Sequence, residues 1–162
     1  MRHIPPKSRR GNSRYSLDKQ AKTPAEAGEY ILLNKQRKHS IDRREVRRFL
    51  SALVSELGVR DRGFAVVLIT DGVMQRYNRQ YRGFDKPTDV LSFPGDQRYL
   101  GDILISLETA YNQARNSKTL TFETNVRRLI LHGLLHLMGY DHETDDGQMR
   151  SIERRLRRRF QC

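Results

Sequence analysis

Three of the chain's five histidines stand between residues 132 and 142, in the stretch HGLLHLMGYDH. Imidazole nitrogens ligate zinc-type cations, and spacing decides whether several can do so together. His132 and His136 are four apart; on a helix they share one face, about 6 Å apart along the axis. Gly139 follows the apolar pattern, where a left-handed turn lets the chain leave the helix and swing His142 back toward the same centre. Three neutral imidazoles at about 2.0–2.1 Å hold Zn²⁺ and leave a fourth tetrahedral position for water, the arrangement of catalytic rather than structural sites. One Zn²⁺ per chain on His132, His136 and His142 is therefore expected. Any one of these histidines alone would be read as a core or capping residue; the spacing and the turn glycine together point to a metal.

The pattern matches the metzincin motif H-E-x-x-H-x-x-G-x-x-H at every ligand and at the turn glycine. It departs at Gly133, where those peptidases carry the glutamate that activates water. A zinc metallopeptidase is thus disfavoured by the motif that brings it to mind, and Gly133 is read instead as small for close packing. Residues 132–142 also resemble the hallmark H-G-x-L-H-L-x-G-Y-D-H of the YbeY family of bacterial rRNA maturation factors. The resemblance extends through YNRQYRGFDKPTDVLSFP and LGDILIS, covering roughly residues 64–160. It implies a single-strand-specific, metal-dependent endoribonuclease acting in 16S rRNA 3′-end maturation and ribosome quality control. Carried over by motif position, it implies His132, His136 and His142 as the metal ligands, and Arg82 with His132 as the catalytic residues. Its implied partners are single-stranded RNA, rRNA and ribosomal particles. A second rival is a ribosome-assembly factor that binds RNA without cutting it, its metal structural and Asp141 filling the fourth position.

Arg82 can hold a phosphate bidentately and stabilise charge that develops during cleavage. Asp102, beside Gly101, is either a partner of a ligand histidine or a turn residue. Pro87, Thr88 and Asp89 are expected to shape a loop and strand start, and Tyr140 and Asp141 to fix the turn that carries His142. Only His3 and His39 are left over, both in basic segments expected to be poorly structured, which argues against a metal-free acid–base pair of histidines. The chemistry itself stays open between hydroxide attack and attack by the RNA 2′-hydroxyl.

The elements that must position these groups follow from periodicity. YILLN at 30–34 and FAVVLIT at 64–70 read as strands, the second buried on both sides. Between them Val46, Phe49, Leu50, Leu53, Val54 and Leu57 recur at helical spacing, from a cap at Ser40 to Gly58. Asp71 is expected to cap a helix carrying Val73, Met74, Tyr77 and Tyr81. DVLSF and DILISL then read as neighbouring strands across a turn-rich link. Ser106 caps a third helix, a fourth runs from near Thr121 to Met138, and a last one starts at Asp145 or Asp146. The fold class is α+β, or α/β-like: one domain at 29–162, with a small mixed sheet of about four strands, about five helices, and the metal site on a C-terminal helix.

The net charge of +12 points to a polyanionic partner, RNA above all. Arg150, Arg154, Arg157 and Arg158, with the arginines of residues 1–28 and of DRREVRR, form a candidate phosphate-tracking surface. Residues 1–28 carry too few large apolar side chains to offset ordering entropy and are expected to be a disordered basic tail. That start has no apolar h-region, so a cytoplasmic location is expected, with an organellar transit peptide as the alternative. No apolar run approaches the ~20 residues of a membrane span. Cys162, the single cysteine, is read as an exposed thiol without a role. The sequence leaves the oligomeric state open.

Overall fold

The structure, a computed structural model, describes residues 29–142 and 144–162; the tail expected over residues 1–28 lies outside them. Its elements are β1 (Tyr30–Asn34), α1 (Arg43–Leu57), β2 (Gly63–Ile69), α2 (Asp71–Arg82), β3 (Val90–Pro94), β4 (Tyr99–Ser106), α3 (Leu107–Arg115), α4 (Phe122–Leu137) and α5 (Gln148–Phe160). The strands form one sheet in the order β1-β2-β4-β3. β1, β2 and β4 run parallel, and β3 pairs antiparallel with β4, Val90 opposite Ile105 and Pro94 opposite Gly101. This is the mixed four-stranded sheet with five helices that the sequence predicts.

Side chains alternate across a strand, so each strand feeds two layers. Val66, Leu68, Val90, Ile103 and Ile105 face α1, α3, α4 and α5. Val67, Ile69, Leu91, Phe93 and Leu104 face the other way, where Met74, Tyr77 and Tyr81 of α2 cover them. All seven residues of β2 are buried, which is why its sequence is apolar without alternation. The larger layer centres on α4, ten of whose sixteen residues are buried. Its fully buried leucines, such as Leu131, Leu134 and Leu135, each contribute about 1.5–3 kcal/mol through burial. The histidines therefore lie in an apolar stretch because their helix is the middle of the core.

The helices form where periodicity places them, but several starts shift. α1 is capped by Asp42, whose carboxylate accepts from the Arg44 and Glu45 amides at 2.8 and 3.2 Å, not by Ser40. Thr70 caps α2, while Asp71, inside the first turn, accepts from Thr109 Oγ1 at 2.6 Å and from the Ser106 hydroxyl. Ser106 does sit at the N-cap of α3, but its hydroxyl serves Asp71 rather than the helix. α5 starts at Gln148 after Gly147, and Asp145 supports that start from outside by accepting from the Gly147 and Met149 amides, both at 2.9 Å. Cys162 is buried in the larger core rather than exposed. Among the described residues no helix is long and apolar enough to cross a membrane.

Candidate metal centre

α4 begins with the Thr121 hydroxyl accepting from the Thr124 amide at 3.1 Å and crosses β3 and β4 on its way to the histidines. It lies close against these two strands at Gly133. A Cβ there would lie 2.6 Å from Ile103 Cγ2 and 3.1 Å from Ser92 Oγ, and the Ser92 hydroxyl donates to the Gly133 carbonyl at 3.2 Å. The glycine expected for close packing is thus where the helix touches the sheet. At the far end the Gly139 and Tyr140 amides close the helix onto the His136 and Leu135 carbonyls, and Gly139 takes φ +95°. The Asp141 carbonyl then accepts from the Thr144 and Asp145 amides at 3.3 and 3.0 Å, which fixes the turn bearing His142.

These local features bring the three imidazoles together. One ring nitrogen from each of His132, His136 and His142 lies within 4.8 Å of the others. The Nε2 atoms of His132 and His136 are 3.1 Å apart, and the ring centroids of His132 and His142 are 5.2 Å apart. Two nitrogens on one tetrahedral cation at about 2.0–2.1 Å stand about 3.4 Å apart, so the pair fits a shared ion. His136 is 3% exposed. Burial, and next the neighbouring His132, push its pKa from 6.5 down to about 4, against the pull of Asp141. It is neutral at pH 7, the form in which imidazole has a lone pair to offer.

Behind the histidines stands a residue that the sequence reading missed. Glu153 of α5 is 6% exposed and meets His132 Nδ1 at 3.2 Å, His142 Nε2 at 3.6 Å and the Arg157 guanidinium at 2.6 Å. Burial alone would raise its carboxyl, but the hydrogen bond and charge of His132, with Arg157 and His142, hold it below the ordinary 4.5. A carboxylate on Nδ1 fixes that proton and leaves Nε2 of His132 as the electron-pair donor. Its signal lay in the spacing: Met149, Glu153 and Leu156 share the buried stripe of α5, and a carboxylate there is a misfit that needs a partner.

The other candidates go elsewhere. Asp102 accepts from the Tyr99 hydroxyl at 2.6 Å on the α2 side of the sheet, so it is not the histidines' carboxylate. Asp89 shapes the start of β3, accepting from the Val90 amide and from Gln113, both at 2.9 Å. His39, expected in a poorly structured link, packs at a tilt against Tyr111 with 4.6 Å between centroids. Arg82 ends α2, across the sheet from α4. Tyr81 packs on Phe93 of β3, and Leu137 packs over Gly101, the β4 neighbour of Pro94. Arg82 and the histidines thus stand at the same end of the sheet on opposite faces. The Arg82 guanidinium lies 5.5 Å from the ring centroid of Phe84, which is 48% exposed.

The chain is similar to known proteins over most of its length. The family model described as Endoribonuclease YbeY matches residues 31–161. The chain is 40% identical over 124 residues to Endoribonuclease YbeY of Persephonella marina, a match spanning 72% of this chain and 80% of that one. With the protein of the same name from Geobacter sulfurreducens it shares 36% identity over 138 residues, 80% of this chain and 91% of the other. Its fold is similar to the solution structure of a Thermotoga maritima protein, with a TM-score of 0.59, 30% identity, and coverage of 77% of this chain and 85% of that one.

Proposed function

Because the chain belongs to the YbeY endoribonuclease family, we propose that it cuts single-stranded RNA with the help of one divalent cation, Zn²⁺, held by His132, His136 and His142. The convergence of those three imidazoles, backed by Glu153, is the observation that carries this reading. Its substrate in the cell is the 3′ end of 16S rRNA, within ribosome maturation and quality control in the cytoplasm, and residues 29–162 form the catalytic domain behind a basic tail.

When bound, such a cation supplies Lewis acidity toward a phosphoryl oxygen and lowers the pKa of water. The chain's own groups prepare the site. Burial keeps His136 neutral, Glu153 orients His132, and the Gly139 turn delivers His142. The sheet contact at Gly133 keeps both helix histidines at a fixed height. In this reading Arg82 engages a strand that passes the end of the sheet, holding a phosphate oxygen against developing negative charge. The exposed Phe84 ring beside it offers a base a face to stack on.

The test is to incubate metal-loaded and chelated protein with single-stranded RNA, duplex RNA and single-stranded DNA. Cutting is expected for the single RNA strand alone, and chelation should stop it. Arg82→Ala should lower the single-turnover rate at saturating RNA on the order of 10², the usual loss of an oxyanion donor. Wild-type protein that digests casein in a metal-dependent way and leaves RNA intact would overturn the proposal. An Arg82→Ala rate equal to wild type would remove Arg82 from the chemistry.

A further inference from the structure

Beside the metal centre, between α4 and α5, lies a cleft of about 570 Å³ whose walls carry Arg128, Arg150, Arg154, Arg157 and Arg158 around Glu153, the one acidic side chain among its described lining residues. A second hollow of about 450 Å³ continues it along α5 and shares Arg150, Arg154 and Arg158. These three recur every four residues, so their guanidinia stand in a row about 6 Å apart, a spacing comparable with successive phosphates of an extended single strand. Other arginines of α5 are neutralised: Arg157 by Glu153 at 2.6 Å and Arg159 by Glu56 at 2.9 Å. Among the described residues Arg128, Arg150, Arg154 and Arg158 have no such ion pair. Among the described residues the buried Nε–H groups of Arg128 and Arg157 also have no hydrogen-bond partner.

Five guanidinia around one acidic side chain repel one another unless an anion joins them. The row and the recess fit a phosphodiester backbone, which supplies one charge per step. A lipid surface fits less well, because the apolar stripe of α5, Met149 and Leu156, is already spent in the core and leaves nothing to insert. We propose that this groove is a second RNA subsite, separate from the scissile position, which binds two or three consecutive phosphates of the strand flanking the cut. One carboxylate joins the two sites, since Glu153 Oε1 touches both Arg157 and His132. The identity of the strand rests on the nuclease reading; the groove itself does not.

The experiment measures binding of a short labelled 2′-O-methyl RNA strand, which reports affinity without cleavage, across a salt series. The full chain is compared with an Arg150→Gln, Arg154→Gln, Arg158→Gln triple variant. A control triple, Arg37→Gln, Arg60→Gln, Arg115→Gln, removes the same charge from exposed positions outside the proposed RNA-binding surfaces. Each phosphate contact contributes roughly 0.7 to the log–log salt slope, so the groove variant should lose about 2 in slope and about 10² in affinity at ~0.1 M salt. The control should lose far less. If the groove triple melts early, Arg154→Gln alone should still lose about 0.7 in slope and about fivefold in affinity. Equal losses in the two triples overturn the subsite, as does a wild-type chain that binds anionic lipid vesicles but not the strand. A chain that binds through the groove yet never cuts RNA would sink the nuclease reading and leave this one standing.

Discussion

Replacing His136 with alanine is expected to abolish metal-dependent cleavage. Of the three proposed ligands, His136 is the most buried and the one that burial keeps neutral. Without it two imidazoles remain, too few to hold a cation against water. A metal that contributes about 4 kcal/mol of transition-state stabilisation accounts for about 10³ in rate. Stability gives a second readout. Ligand that binds only the folded chain raises its melting temperature, so added Zn²⁺ should stabilise the wild type and not His136→Ala. Glu153→Gln should fall between the two. It keeps the shape and a hydrogen bond to His132 but loses the charge, and metal affinity should drop about 10–100-fold, the usual effect of removing such a partner. His39→Ala, a control in a separate aromatic cluster, should bind metal as the wild type does. One equivalent of metal held by His136→Ala with unchanged affinity would disprove the assignment.

Gly133→Ala should destabilise the fold even though alanine is the better helix former. The helix preference favours alanine by about 1 kcal/mol. Against it, the new methyl would meet Ile103 Cγ2 at 2.6 Å. That atom belongs to a β-branched side chain on a central strand, stiff at χ1 and fully buried. α4 must therefore lift, and overpacking of this kind costs about 1–3 kcal/mol. Since His132 and His136 flank the contact, lifting the helix also spreads their nitrogens, so metal affinity should fall with stability. Gly133→Glu should be worse. Its Cβ points into the sheet, so the variant would restore the peptidase motif in letters only and should gain no protease activity. Thermal melts and metal titrations of both variants decide it; a Gly133→Ala protein more stable than wild type would show that the contact yields.

Much of this architecture was legible in the sequence, because apolar periodicity is read residue by residue. Strands, helices, the Gly139 turn and the histidine cluster stand where the pattern puts them. Caps were harder. Ser40 and Asp42, or Thr70 and Asp71, all offer an oxygen within two residues, and the choice falls to where the backbone turns helical. Glu153 was hidden by its company: in a run of arginines a carboxylate reads as a surface ion pair, although its place on the buried stripe says otherwise. The position of Arg82 could not be read at all. The steps from β1 to β2 and from β2 to β4 go the same way across the sheet, and plain right-handed crossovers would put α1 and α2 on one face. Here β3 interrupts the second connection and α2 covers the opposite face.

The strand order also sets a timetable for assembly. Pro94 and Gly101 pair across a short turn, whereas pairing Tyr30 with Phe64, or Phe64 with Gly101, must close a span roughly fivefold longer. By loop-closure entropy alone the difference is about 1.4 kcal/mol in favour of the β3–β4 hairpin. Low sequence separation favours early contact, so the hairpin is expected to precede the parallel strands. That hairpin carries both Ser92 and Ile103, the bed on which α4 rests at Gly133. The floor of the histidine site is then laid before the chain's first strand finds its neighbour. Pulse-labelled hydrogen exchange during refolding should protect the β3 and β4 amides ahead of those between β1 and β2; the reverse order would show that topology does not govern the sequence of events.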